Sequence, residues 1–123
     1  RTVLKYYPEY VNAQDEEIMQ TGLMYAINDG HTDIARLLIE NGANVNIQND
    51  DGYTALMYAT MMNNIDIVKL LLENGANVNI QNNRGSTALE LAYSYNRENI
   101  AKLLIENGSK NKDYNTSSKV SYL

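Results

Sequence analysis

The sequence predicts an all-α solenoid, in which short helix-turn-helix units are joined by β-hairpin-like loops and stack side by side. Three observations lead to this fold class. Gly42, Gly75 and Gly108 recur with a spacing of 33 residues. The segment before each glycine carries apolar residues at helical spacing. Each predicted helix is shorter than the roughly 12 residues at which isolated helices become marginally stable, so the units must bury their faces against one another.

The repeated segments place the unit boundaries. TGLMYA at 21–26 is matched by TALMYA at 54–59 and by TALELA at 87–92. Chance does not maintain one register over three segments, so the chain is a tandem array. The predicted organisation is a degenerate or truncated N-terminal unit or cap at 1–15, three units at 16–48, 49–81 and 82–112, and a polar C-terminal tail at 113–123.

The first helix of the second unit begins after Thr54, whose side-chain oxygen can accept a hydrogen bond from the backbone of the first turn. Leu56 and Ala59 lie three residues apart and therefore fall on one face of this helix. Asn63 and Asn64 then interrupt the apolar pattern and indicate a turn. The sequence thus predicts a short helix that buries one face.

The second helix of this unit carries Ile67, Leu70 and Leu71, which have the i, i+3, i+4 spacing of a buried stripe. Gly75 ends the helix, because glycine takes the left-handed conformation beyond a helix without a steric penalty. A turn at 82–85, NNRG, opens the next unit. Two charged residues of the helix are expected to face solvent, Lys69 and Glu73.

These segments resemble the ankyrin repeat. The unit of that family carries the motifs Gly-x-Thr-Pro-Leu-His-x-Ala, Ile-Val-x-Leu-Leu-Leu and Gly-Ala-x-Val-Asn. In the second unit, residues 52–59 read GYTALMYA, residues 67–72 read IVKLLL and residues 75–79 read GANVN. The resemblance covers residues 16–110. It implies a non-enzymatic module that binds a partner protein on a concave face, which is built from the loop tips and the first helices.

The sequence departs from the family pattern at the motif histidine, which is replaced by Met24, Met57 and Glu90. In the family, that histidine ties neighbouring units together through side-chain hydrogen bonds. The resemblance therefore implies that this array lacks part of that network.

The composition argues against an enzyme and against a metal or cofactor site. Cysteine is absent, which excludes disulfides, thiol catalysis and cysteine-based zinc sites. His31 is the only histidine, and with Asp33 alone it does not make a metal site. Asp50 and Asp51 lie at a predicted turn, where carboxylates serve capping and solubility. We therefore expect no catalytic residue, no metal and no cofactor.

The charge and the hydropathy pattern narrow the class of partner. The net charge of −5 disfavours binding to a nucleic acid, and no row of basic residues lies beside the tyrosines. No apolar run approaches the roughly 20 residues of a membrane span. We expect a monomeric, intracellular, cytoplasmic protein that binds neither nucleic acid nor membrane, with secretion into a host cell as the alternative.

The positions that do not repeat are the candidates for a binding site, because the repeated ones serve stacking. On the predicted concave face they combine flexible and aromatic side chains with carboxylates, as protein interfaces do, and the carboxylates favour a partner with a basic surface. The candidate partner-binding residues are Asp50, Asp51, Tyr53, Met61, Met62, Arg84, Ser86, Ser94 and Tyr95.

Three alternatives stay open. Met61 and Met62 could instead be buried against the helix of the next unit. The whole array could be a structural spacer or intramolecular scaffold segment with no partner of its own. An enzymatic role would require a catalytic domain outside this segment.

Overall fold

The computed structural model describes residues 21–108, which form three pairs of short α-helices. This part of the chain contains no β-strand, which confirms the predicted all-α class. The segments predicted as an N-terminal unit and a C-terminal tail, 1–15 and 113–123, lie outside the described residues. The helices are α1 (Gly22–Asn28), α2 (Thr32–Glu40), α3 (Ala55–Met61), α4 (Ile65–Glu73), α5 (Ala88–Ser94) and α6 (Glu98–Glu106).

The pairs stack into two layers. Within each pair the first helix packs against the second, as α3 packs against α4. Between pairs, the first helices α1, α3 and α5 contact one another in sequence, and the second helices α2, α4 and α6 do the same. The first helices have 7 residues and the second helices have 9, so none reaches the length at which it would be stable alone. Each pair therefore depends on its neighbours, as expected of a solenoid.

The first helices begin at threonine caps. The Thr54 hydroxyl accepts a hydrogen bond from the backbone N–H of Met57 at 3.3 Å, which confirms the predicted cap. Thr21 and Thr87 do the same in the first and third pairs. The repeated threonine therefore has a local structural role and explains why the segment repeats.

The second helices end in a left-handed residue. Gly75 has φ +89, the N–H of Ala76 donates to the Leu71 carbonyl at 3.0 Å, and the N–H of Gly75 donates to the Leu72 carbonyl at 3.3 Å. This pair of bonds is the Schellman motif, which satisfies carbonyls that the helix end leaves unpaired. The prediction that Gly75 ends the helix is confirmed.

The core runs between the two layers. Leu56 and Ala59 are buried, as are Ile67 and Leu71 of the predicted stripe, while Leu70 is half-buried. Leu70 is less buried than its spacing predicts, although it packs against the core. The two charged residues expected to face solvent, Lys69 and Glu73, are exposed.

The positions of the missing motif histidine are occupied in two ways. Met24 and Met57 are each 1% exposed, so apolar packing replaces a polar tie in the first two pairs. Glu90 instead accepts from the backbone N–H of Thr87 at 2.9 Å, and its own N–H donates to the Thr87 hydroxyl. This capping box stabilises the start of α5 locally.

The loops between the pairs form hydrogen bonds from one unit to the next, which the residues at the motif-histidine positions do not form. Each loop folds back on itself like a hairpin, since the N–H of Asn49 donates to the Tyr53 carbonyl at 2.9 Å. Neighbouring loops are joined edge to edge, because the N–H of Asn83 donates to the Asp51 carbonyl at 3.0 Å. The Gln48 side chain donates to the Gln81 carbonyl at 3.0 Å. Hydrogen bonding between units is thus concentrated in the loops.

Candidate functional site

The tip of the loop before α3 is organised by a buried asparagine. The Asn49 side-chain carbonyl accepts from the N–H groups of Asp51 at 3.0 Å and Tyr53 at 2.9 Å. Its amide donates to the Tyr58 hydroxyl at 2.8 Å. Asn49 is only 7% exposed, and all of these bonds compensate for its burial. The asparagine therefore holds the tip in one shape and presents Asp50 and Asp51 to solvent.

Two tyrosines lie under these carboxylates. The rings of Tyr53 and Tyr58 are 5.5 Å apart at an interplanar angle of 35°. Both side chains are half-buried and pack against the core. Burial raises the pKa of Tyr58, the hydrogen bond from Asn49 lowers it, and the negative field of Asp51 and Asp50 raises it further. We name these four residues, Asp50, Asp51, Tyr53 and Tyr58, the tip cluster.

The loop before α5 has the same construction with different side chains. Asn82 is buried, and its side-chain carbonyl accepts from the N–H groups of Arg84 and Ser86, both at 3.0 Å. The predicted turn at 82–85 is present, with the N–H of Gly85 bonded to the Asn82 carbonyl at 2.8 Å. Arg84 is exposed and Ser86 is half-buried. The acidic tip of one unit is therefore followed by a tip with a basic side chain.

The opposite ends of the first helices carry exposed apolar side chains. Met62 caps the C-terminus of α3 and is 47% exposed, and Tyr95 caps α5 and is 46% exposed. Ser94, the last residue of α5, is exposed as well. Met61 is half-buried and packs against the core. The alternative that both methionines are buried is therefore wrong for Met62, whereas the side chain of Met61 is partly buried.

The structure separates the predicted residues at the loop tips from those at the C-terminal ends of the first helices. Helix α3 has 7 residues and is about 10 Å long, so Tyr53 and Met62 lie at opposite ends of it. We name Met62, Ser94 and Tyr95 the turn cluster, because they lie where each first helix turns into the second. The tip cluster lies at the start of α3 and in the loop before it, whereas the turn cluster lies at the C-terminal ends of α3 and α5.

Sequence reasoning missed three residues of this region. Tyr58 is not among the candidate residues, yet it joins the tip cluster. Asn49 has a signal in the sequence, since Asn82 occupies the same place one unit later. Arg97 has no such signal, because the equivalent residues are Asn64 and His31. Its guanidinium lies 6.0 Å from the centre of the Tyr95 ring and contributes a cation–π contact.

Neither a metal-binding group nor a membrane-spanning helix is found in the part of the chain that the structure describes. Between residues 21 and 108, no group of three or more histidine or acidic side chains is placed to hold a metal ion. In the same range, no helix has the length and apolar character needed to cross a membrane.

The repeat pattern agrees with a known family. A family model for ankyrin repeats, in three copies, matches residues 2–82 and 23–117. The chain belongs to the ankyrin-repeat family. Ankyrin repeats are generally protein–protein interaction modules, and the family is typically non-enzymatic. In this ankyrin-repeat chain, the tip cluster presents two exposed carboxylates and the turn cluster presents the exposed side chains of Met62, Ser94 and Tyr95.

Proposed function

We propose that this chain is a non-enzymatic binding module, which docks a partner protein on the face formed by the loop tips and the first helices. The observation that carries the proposal is the exposure of Met62 and Tyr95. Met62 and Tyr95 cap the equivalent helices α3 and α5 and are nearly half exposed, and both are residue types that interfaces favour.

Charge supports a partner with a basic surface. Asp50 and Asp51 are exposed beside two tyrosine rings, and carboxylates beside aromatic rings attract lysine and arginine side chains. Arg84 on the next tip would select for an acidic group at the adjoining position of the partner. Such complementarity mainly determines specificity and association rate, while the apolar residues supply binding free energy.

We further propose that the protein acts as a monomer in an intracellular, cytoplasmic compartment, with neither nucleic acid nor membrane as its ligand. The acidic net charge of −5 favours a protein partner over a polyanion. Analytical ultracentrifugation tests the monomeric state, and localisation of the tagged chain tests the compartment.

The test is a quantitative pull-down from lysate of the source cell with four baits. They are the wild type, Met62→Ser with Tyr95→Ala, Asp50→Asn with Asp51→Asn, and the control Ile34→Ser. Ile34 is 52% exposed on α2, in the other layer, so its variant removes an exposed apolar group away from the proposed face. Tyr53 and Met61 are left intact because they are half-buried.

A protein that the wild type and Ile34→Ser retain, and that the two face variants lose, supports the module and its location. Equal recovery on all four baits contradicts the proposal and favours the spacer alternative. In that case Leu71→Ala should still destabilise the array, because a spacer depends on stacking in the same way.

A further inference from the structure

An open groove lies at the junction of the first and second helical pairs. It has a volume of about 390 Å³ and is lined by residues of the two interhelical turns. Ile27 contributes from the end of α1, and Met62 and Ile65 contribute from the second pair. The groove is therefore partly apolar, and it is continuous with the exposed Met62 of the turn cluster.

The charge on this groove has one sign. Asp66 is exposed in the first turn of α4 and is the charged residue among its lining side chains. No lysine, arginine or histidine lines it within the described residues. Asp29, which caps the nearby end of α1, is exposed too. The groove thus combines apolar lining residues with the Asp66 carboxylate, and no cationic side chain of the described residues lines it.

At the equivalent junction, between the second and third pairs, an arginine of the chain itself occupies the corresponding position. Arg97 begins α6, and its guanidinium Nη2 donates to the carbonyl of Met61 near the end of α3 at 2.8 Å. The C-terminal end of a helix carries negative partial charge, which favours a guanidinium there. Its Nε is buried without a hydrogen-bond partner, so the side chain is held largely by that one bond and by Tyr95.

The first junction lacks this arginine. The residue equivalent to Arg97 is Asn64, whose short side chain donates to the Thr32 hydroxyl at 3.1 Å and accepts from the N–H of Ile67. The carbonyl equivalent to that of Met61 is that of Asn28, at the end of α1. No arginine of the described residues lines this groove, and Ile27 and Gly30 are its lining residues at the end of α1.

We propose that this groove receives an arginine side chain of the partner protein, which takes at the first junction the place that Arg97 occupies at the second. The methylene stem lies along Met62 and Ile65, and the guanidinium reaches Asp66 and the carbonyl end of α1. This inference deepens the proposed function and rests on it for the biological source of the arginine. The groove's affinity for a guanidinium can nevertheless be measured without any partner.

The experiment titrates the ¹⁵N-labelled full chain with N-acetyl-arginine-N′-methylamide and follows amide chemical shifts by NMR. The citrulline analogue, which has the same shape without the charge, is the matched control. We expect saturable shifts at Met62, Ile65 and Asp66 with the arginine compound, and at least threefold weaker binding of the citrulline compound. Equal responses to both compounds, or shifts confined to the tip cluster, overturn the proposal.

Two variants test the geometry. Asn64→Arg supplies the arginine within the chain, as the third pair does, and should abolish the shifts at the groove. Asp66→Asn should weaken binding of the arginine compound at least threefold, whereas Asp33→Asn, at the equivalent first-turn position of α2, should leave it unchanged. The proposal is overturned if both Asn64→Arg and Asp66→Asn bind the arginine compound as the wild type does. If Asn64→Arg does not fold, the comparison of Asp66→Asn with Asp33→Asn decides the question.

The pull-down and the titration fail independently. If no protein is lost from the face variants but the groove still binds the arginine compound, the binding-module proposal fails and the groove stays a guanidinium site. If a partner is found that Asp66→Asn retains with wild-type affinity, the partner does not use the groove and this inference is wrong.

Discussion

Arg97 donates a hydrogen bond from its guanidinium to the carbonyl of Met61 at 2.8 Å, across a separation of 36 residues. The bond joins the start of α6 to the end of α3 and thus connects the second and third pairs. The same guanidinium lies against the Tyr95 ring. One side chain therefore fixes a junction between units and positions an exposed aromatic residue of the turn cluster.

The first prediction concerns this contact. Arg97→Met keeps much of the apolar stem but removes the charged donor, and we expect it to lower the free energy of unfolding by about 1.5–3 kcal/mol. Urea denaturation followed by circular dichroism measures the change. Arg84→Met, at an exposed arginine on a loop tip, is the control and should change stability by less than about 0.5 kcal/mol. Equal effects of the two substitutions would refute a structural role for Arg97.

The second prediction uses a matched pair of glycines. Gly52 and Gly85 have φ +84 and φ +83, but a Cβ on Gly52 would lie 2.7 Å from the backbone nitrogen of Asn83, whereas a Cβ on Gly85 meets nothing within 4 Å. Gly85→Ala should lower the free energy of unfolding by about 1–2 kcal/mol, which is the ordinary penalty for a residue with a side chain in the left-handed conformation. Gly52→Ala should cost about 1–3 kcal/mol more, because the neighbouring loop must move.

Thermal and urea unfolding of both glycine variants provide the comparison. A Gly52→Ala variant no less stable than Gly85→Ala would show that the two loops separate without cost. The hydrogen bond between Asn83 and the Asp51 carbonyl would then contribute little to stacking.

The third prediction concerns the core of α4. Leu71 is 0% exposed, and Leu71→Ala should lower the free energy of unfolding by about 2–5 kcal/mol, since it leaves a cavity. The neighbouring half-buried residue offers a control with the same chemistry, and Leu70→Ala should cost clearly less. The difference is read from urea midpoints at a constant m-value. A larger loss for Leu70→Ala would contradict the burial described above.

The fourth prediction is a dependence of stability on alkaline pH. The pKa of Tyr58 in the folded protein is raised above its ordinary value of 10.0, chiefly by burial. In this pH range Tyr58 ionises more readily in the unfolded chain than in the folded one. Its contribution to the free energy of unfolding is therefore fully present below the unfolded-state pKa near 10, and it is lost as pH rises from there through the folded-state pKa.

Urea unfolding of the wild type and of Tyr58→Phe between pH 8 and 11 tests this dependence. The variant loses the hydrogen bond from Asn49 and should be less stable at pH 8, but its stability should decline less steeply above about pH 10. Parallel decline of the two proteins would show that the pKa of Tyr58 is the same in the folded and unfolded states.

Local features of the fold were readable in the sequence. The cap at Thr54 and the helix stop at Gly75 each depend on atoms within a few residues, so a motif and its spacing identify them. The all-α solenoid follows from the same evidence, since short helices that repeat in register must stack. Membership of the ankyrin-repeat family, which the sequence motifs indicated, agrees with this reading.

The candidate site could be predicted only as a set of residues. Met61 and Met62 are adjacent and chemically identical, yet one packs against the core and the other is 47% exposed. The difference depends on where the next pair lies, and a period of 33 residues does not specify that geometry. The pairing of Tyr53 with Tyr58 depends likewise on the fold of one loop tip around Asn49.

By itself, the sequence determined the helical character of the described elements, the cap at Thr54, the helix stop at Gly75 and most of the buried stripe, because these arise from interactions between residues close together along the chain. Only the tertiary structure decided which surface side chains meet across units. Gly52 and Gly85 share a backbone conformation and differ in their neighbours, and Arg97 spans a junction where Asn64 leaves a groove. Such contacts depend on the relative placement of whole units, which many distant interactions set together.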